Sequence, residues 1–290
     1  MEAIFGFEYQ ALGTVWYFEF FEQINNQEVF KEQLFSTINQ FEADYSRFKS
    51  DSLLSQLNKN RQAEVNDEFK DLLDIGLHYY QLTAGVFDIS QAHQLTEHGY
   101  GKPIIATTDF QSRLDQIISF DQNRVILAGD RQLDLGGIGK GYLVDKLARS
   151  FEQDYGIKKY LINGGGDLRA GDIDSSGVGI ALEDPWKPGQ YLGKILLNSQ
   201  ALAYSSPVKR RWTDQAGQNH THLIYSDGQR MIASLVVAKT ALEADIMATS
   251  IAVASDIQRQ KFIDNFTIDY LMVDSEYHTK HPKVSLFDNL

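Results

Sequence analysis

Aromatic and β-branched residues crowd "TVWYFEFFE" (14–22), which predicts a strand. The period then changes. In "NQEVFKEQLFSTINQFEADYSRF" the apolar residues Val29, Phe30, Leu34, Ile38 and Phe41 recur at the spacing of one helical face. "SDSLLSQLN" reads as a short helix opened by Ser50 or Asp51, and "NDEFKDLLDIGLHYYQLTAG" as a longer amphipathic one, capped by Asn66 or Asp67 and closed by Gly85. From Ser90 to Asp109 the chain is polar with Gly and Pro and predicts a loop. "LDQIISFDQNRVILAGDRQLDL" predicts two or three short strands turning at "DQN" and "AGD". A helix follows from Gly141 to Tyr155, with Leu143, Val144, Leu147 and Phe151 as its buried stripe. Strands then dominate: "KYLINGGGDLRAG", "VGIALED", "GKILLNSQALAYS" and "HTHLIYSDGQRMIASLVVA". The helix "TALEADIMATSIAVAS", the segment "DIQRQKFIDNF" and a late strand "TIDYLMVDS" complete the pattern. Helices are interspersed with strands that come in hairpin-like pairs. This favours an α+β fold with mixed or antiparallel sheets over a doubly wound parallel one.

Composition narrows the partners. The net charge of −12 argues against nucleic acid and anionic membrane surfaces, both of which want a basic face. Without cysteine there is no disulfide framework, thiolate metal site or Cys nucleophile. The opening "MEAIFGFEYQALGTVWYFEF" lacks the basic and apolar regions of a signal peptide. The apolar run "SLVVAKTALEADIMATSIAVAS" is interrupted by Lys239, Glu243 and Asp245, so no membrane span is expected. The expected location is cytoplasmic.

Four stretches carry candidate chemistry. "LDLGGIGKGYLVDKLARS" (133–150) leaves an extended segment through Gly136, Gly137, Gly139 and Gly141 around Lys140 and starts a helix. Backbone N–H groups at such a turn, the helix N-terminus and the lysine charge suit an anion such as phosphate; a tight turn packed on a sheet is the plain alternative. "INGGGDLRAG" (162–171) repeats the theme with Gly164, Gly165 and Gly166 before Asp167 and Arg169. Two glycine turns, each after a strand, favour a nucleotide-shaped ligand. In "EADIMATSIAVAS", Asp245 and Thr249 lie four apart on one helical face amid apolar residues. They suit a hard cation such as Mg²⁺, or Asp245 caps the helix start after Thr240; spacing leaves both open. In "HTHLIYS", His220 and His222 share one strand face. A single histidine as general base is the better functional reading, because no third zinc ligand is evident.

In order along the chain, these segments resemble the ApbE family, the FAD:protein FMN transferases. "ALGTVWYFE" looks like the family's "MGT" strand, "DYSRFKSDSLLSQLN" like its "S-R-F/Y…S-x-L-x-x-L-N" segment and "GVFDIS" like "GAFD". "LDLGGIGKGYLVDKLA" is similar to "DLGGIAKGYAVD", "YLINGGGDLRA" to "NLGGDIRA", "HTHLI" to "H-I-I-D-P" and "EADIMATSIAVAS" to "ADALATALFV". The resemblance implies a single ApbE-like domain over residues 1–290, with a ligand cleft between subdomain-like halves. It implies a Mg²⁺-dependent enzyme that splits FAD, places FMN on a Thr or Ser hydroxyl of an acceptor flavoprotein and releases AMP. Ser46, Phe48, Asp88, Asp134, Gly137, Lys140, Gly164, Gly165 and Asp167 fall in its FAD-site motifs. Gly139, Asp245 and Thr249 match its metal ligands, and His222 the histidine that activates the acceptor. The chain departs from the family after His222, where Tyr225 and Ser226 replace Asp-Pro, and at "SSPVKRRW" (205–212). Those departures surround the acceptor. They keep two alternatives in view: an FAD pyrophosphatase giving FMN and AMP, and a flavin-binding protein without turnover.

Overall fold

The computed structural model describes residues 2–91, 112–174, 177–208, 211–213, 219–221, 223, 230–282 and 286–287. The chain opens with strands β1 (Phe5–Ala11) and β2 (Thr14–Phe20), then helices α1 (Gln27–Tyr45) and α2 (Leu53–Asn60). Strand β3 (Gln62–Glu64), helix α3 (Asp67–Leu82), the short helix α4 (Leu114–Ile117) and strands β4 (Ile118–Asp121) and β5 (Arg124–Leu127) follow. Helix α5 (Gly139–Gln153) leads into β6 (Tyr160–Gly164), β7 (Leu168–Ala170), β8 (Val178–Glu183), β9 (Tyr191–Leu197) and β10 (Ala201–Ser205). Last come β11 (Arg211–Thr213), β12 (Asn219–Thr221), β13 (Ile232–Ala238), α6 (Ala241–Val253), α7 (Asp256–Phe262), β14 (Asp269–Asp274) and β15 (Thr279–Lys280).

The frame is an eight-stranded sheet in the order β1-β2-β6-β7-β10-β13-β14-β15, antiparallel at every described pairing. Strand alternation divides its side chains between two cores. Trp16, Phe18 and Phe20 of β2, Ile162 of β6, Ala203 of β10 and Val236 of β13 join the helical core. Leu161, Leu202, Leu235 and Val237, one position out of step, join a second core with Ile180, Leu182, Ile195 and Leu197 of the β8–β9 hairpin. The architecture is thus α+β with antiparallel sheets and helices packed on one face. Among the described residues no helix is long and apolar enough to cross a membrane.

Several elements differ from the sequence expectation. "LDQI" forms a single helical turn rather than a strand, and extended pairing after it stops at Leu127. Strands β1 and β3 are additional; β1 carries alternating half-buried aromatics that gain a partner only through its pairing with β2. The cap of α2 is Ser52, whose side chain accepts from the Ser55 amide, in place of Ser50 or Asp51. Asn66 caps α3 as expected, accepting from the Phe69 amide. Helix α5 begins at Gly139 rather than Gly141, because the Gly139 amide already bonds the Leu135 carbonyl at 2.7 Å.

Helix α6 is buried almost all round, so apolar residues on every side are what its position requires. It crosses the start of α5 at Gly141, where a Cβ would stand 2.7 Å from the Ala241 carbonyl oxygen and 2.8 Å from the Leu242 Cα. Both neighbours are backbone, so a side chain there must separate the two helices. Gly141→Ala is therefore expected to lower stability by about 1–3 kcal/mol. Urea unfolding of the purified variant measures this, and an unchanged midpoint would show that the crossing tolerates a methyl group.

Candidate functional site

The glycine–lysine turn connects two clusters of polar side chains. At its end, Lys140 in the first turn of α5 pairs with Asp167, from the turn between β6 and β7, and lies 3.5 Å from Asp245 on α6. Both carboxylates are buried, at 4% and 6% exposure. The Gly141 amide donates to Asp245 at 3.3 Å. Burial first, and the neighbouring Asp167 second, push the Asp245 carboxyl up to about 7; Lys140 and the Gly141 N–H pull it back. One ammonium thus faces two dry carboxylates.

Thr249, one turn beyond Asp245 and half-buried, shares a hydrogen bond of 3.0 Å with Ser205 of β10. The open question at the α6 start is resolved: Thr240 is the cap, its hydroxyl accepting from the Glu243 amide, and Asp245 sits a turn further in. A cation has a physical reason to sit here, since among the described residues one ammonium faces two carboxylates, and Asp245 and Thr249 offer hard oxygen donors. Among the described residues no three His, Cys, Asp or Glu side chains converge as a metal cage. A cation held here would take most of its ligands from hydroxyl, backbone, phosphate or water oxygens, which is the habit of Mg²⁺.

The second glycine turn lies beside the same cluster. Gly165 has φ +74°, and a Cβ there would meet the Thr14 side chain at 2.6 Å, so both backbone and space require glycine. Thr14 closes the "LGT" turn, which explains why two motifs far apart in sequence form one surface.

At the other end of the turn, Asp134 accepts from the Gly136 amide at 2.8 Å and pairs with Arg47 at 2.8 Å. The Arg47 guanidinium also stacks over Phe48, 4.5 Å from its centroid. Phe48 is half exposed. Ser46 ends α1 and its hydroxyl accepts from the Phe48 amide. Asp88 accepts from the amide and hydroxyl of Ser90 and pairs with Arg131 at 2.6 Å, both side chains nearly buried. Gly137 packs against the Phe87 ring. Gly139, buried, is the first residue of α5. Gly164 ends β6 against Trp16.

The structure therefore brings Lys140, Asp167 and Asp245 together, with Gly139 and Thr249 on the same two helices. Asp134, Ser46 and Phe48 form a second group around Arg47. Asp88 is tied to Arg131. His222 lies outside the described residues, as does most of the loop expected from Ser90 to Asp109. Sequence reading passed over Asp145, Asn58, Arg47 and Ser205. Asn58 clips the turn in place, its side chain exchanging hydrogen bonds of 2.9 and 2.8 Å with the Leu133 carbonyl and amide. Periodicity gives no signal for Asp145: it lies off the Leu143, Val144, Leu147 and Phe151 stripe, on the Gly141 side of the helix, and only the packing of α6 against that side buries it.

Comparison with known proteins agrees with this architecture. The profile of the ApbE family matches residues 12–272, and the chain belongs to that family. It is 23% identical over 285 residues to a Vibrio cholerae protein named FAD:protein FMN transferase, covering 91% of this chain and 85% of the relative. It is 24% identical over 277 residues to a Haemophilus influenzae protein of the same name, covering 85% and 80%. Among solved structures, the ApbE protein of Thermotoga maritima superposes with a TM-score of 0.81 at 22% identity, covering 96% of this chain and 97% of that one. The flavin transferase ApbE of Vibrio cholerae gives 0.78 at 20% identity, covering 98% and 97%.

Two substitutions probe the charge imbalance in opposite directions. Asp245→Asn removes a buried charge that neighbours another carboxylate, and is expected to stabilise the metal-free protein by about 1–3 kcal/mol. Lys140→Ala leaves two buried carboxylates without their cation, and is expected to destabilise it by about 3–5 kcal/mol. Urea unfolding in EDTA at pH 8 reads both. A loss of stability in Asp245→Asn would mean that the cluster is balanced as it stands and has no call for a cation.

Proposed function

We propose that this chain works as one unit that binds FAD and transfers its FMN moiety to a Thr or Ser hydroxyl of an acceptor flavoprotein, releasing AMP. The observation that carries the reading is the buried Lys140–Asp167–Asp245 cluster at the junction of two glycine turns, in a member of a family whose named relatives are FAD:protein FMN transferases. Glycine backbones and the α5 N-terminus suit the pyrophosphate. Asp245, Thr249 and the Gly139 carbonyl would hold Mg²⁺, which when bound supplies neutralisation of phosphate charge.

The chain's own groups do the rest. Lys140 keeps the two carboxylates apart from one another's charge and stands at the phosphate end of the turn. The 134–140 segment, pinned by Asn58 and by the Arg47–Asp134 pair, orients the dinucleotide. The half-exposed Phe48 ring, braced by Arg47, offers a flat apolar face to one of its planar ring systems. Asp88 acts indirectly, through the Arg131 pair that holds the segment before Asp134. In the transfer step the acceptor hydroxyl oxygen forms a bond to the flavin-side phosphorus. The bond from that phosphorus to the bridging oxygen breaks, and AMP leaves with the bridging oxygen. His222 takes the hydroxyl proton in this reading. Positioning and charge neutralisation carry the rate. A cytoplasmic location belongs to the same proposal and is tested by cell fractionation.

The decisive experiment co-expresses the chain with a candidate acceptor and follows FAD with Mg²⁺ present. Covalent fluorescence on the acceptor in a denaturing gel, with one AMP released per flavin attached, is the expected result. His222→Asn should abolish labelling by about 10²-fold or more while FAD still binds. AMP and FMN appearing in solution without a labelled acceptor would make the chain an FAD pyrophosphatase, and FAD binding without AMP release would make it a carrier.

A further inference from the structure

One buried carboxylate near the site has no part in the reaction described above. Asp145 lies on α5, 6% exposed, five residues beyond Lys140. Its two oxygens accept from successive backbone amides at the start of α6: Oδ1 from Ala241 and Oδ2 from Leu242, each at 2.9 Å. Arg169 of β7 lies 3.4 Å from Oδ1 and also donates to the Lys239 carbonyl. Three elements therefore meet at this carboxylate. One carries Lys140, one carries Asp245 and Thr249, and the third begins directly after Asp167.

We propose that Asp145 is a positioning residue that registers α6 against α5 and so sets where Asp245 and Thr249 stand relative to Lys140 and the glycine–lysine turn. The inference rests on the proposed role of Asp245 and Thr249 toward a divalent cation. Local capping does not account for the contact. Helix α6 already has a cap in Thr240, whose hydroxyl serves the Glu243 amide at 3.2 Å. Asp145 takes the two first-turn donors that Thr240 leaves, and it does so from another helix. A charged acceptor at a helix N-terminus is also favoured by the dipole. Ala241 is one turn from Asp245, and a helix transmits a slip of its first turn almost rigidly along its axis. The close crossing at Gly141 limits how near the helices come; the Asp145 bonds limit how far one slides along the other.

The test compares Asp145→Asn with Thr240→Ala in the full-length protein. Asp145→Asn is isosteric but turns an acceptor into an amide donor facing a backbone N–H. Thr240→Ala removes the local cap and leaves the inter-helix bonds. Mn²⁺ affinity is read from the free Mn²⁺ EPR signal, and the Mg²⁺ dependence of AMP release from FAD, with the acceptor flavoprotein present, is measured in parallel. Asp145→Asn is expected to weaken Mn²⁺ at least ten-fold and to raise the Mg²⁺ needed for half-maximal AMP release by the same factor. The KM for FAD at saturating Mg²⁺ should change less than three-fold. Thr240→Ala should lower the melting temperature yet keep wild-type Mn²⁺ affinity. If Asp145→Asn fails to fold, Arg169→Gln decides: it keeps the amide bonds, loosens the carboxylate, and should weaken Mn²⁺ three- to five-fold. Wild-type Mn²⁺ affinity in the folded Asp145 variant, or in Arg169→Gln where that variant does not fold, overturns the proposal. So does equal weakening in Thr240→Ala. Wild-type protein that neither binds Mn²⁺ nor releases AMP overturns the proposed function together with this inference, whereas an active wild type with unaffected variants overturns the inference alone.

Discussion

One lysine ammonium set between two buried carboxylates is the constraint around which this site is organised. Lys140 comes from the start of a helix, Asp167 from a strand-to-strand turn and Asp245 from the interior of a second helix. Desolvated carboxylates resist being charged next to one another, and burial together with Asp167 raises the Asp245 carboxyl accordingly. Among the described residues two carboxylates share one ammonium in a well-packed protein, which is a reason to look for a ligand there. The oxygen donors nearby define the kind of ligand: a hard cation together with an anion that shares it.

Holding such a cluster demands a stiff surround. The eight-stranded sheet separates two apolar cores, and the cluster sits on the helical side, where α5 and α6 pack at Gly141. The polar clips are all buried or nearly so: Asn58 on the Leu133 backbone, Arg131 on Asp88, Arg47 on Asp134 and Asp145 on the α6 amides. Each pins backbone that has little regular pairing of its own. Together they explain how a glycine-rich turn, whose backbone is intrinsically loose, is fixed before a ligand arrives.

Some of this was legible in the residue order, and for local reasons. The helical stripe of Leu143, Val144, Leu147 and Phe151 is buried as its spacing requires. Asn66 caps its helix because the cap depends on a side chain and an amide three residues away. The short helix at "LDQI" is not legible in sequence because one turn, with two polar residues between Leu114 and Ile117, is too short to show a period. Strand β1 escaped notice because its half-buried pattern has meaning only beside β2. Asp88, grouped by resemblance with the FAD-site motifs, is tied in the fold to Arg131, 43 residues away.

Residue order alone implies the class of fold, the two glycine turns and the residue types that a phosphate and a hard cation would need, because these rest on propensity, periodicity and the chemistry of individual side chains. It takes the folded chain to show that Lys140 faces carboxylates from two other elements, that Thr240 rather than Asp245 caps α6, and that Asp145 binds two amides 96 and 97 residues away. Charge neutralisation and burial are properties of a neighbourhood, and the neighbours here are assembled from remote parts of the chain.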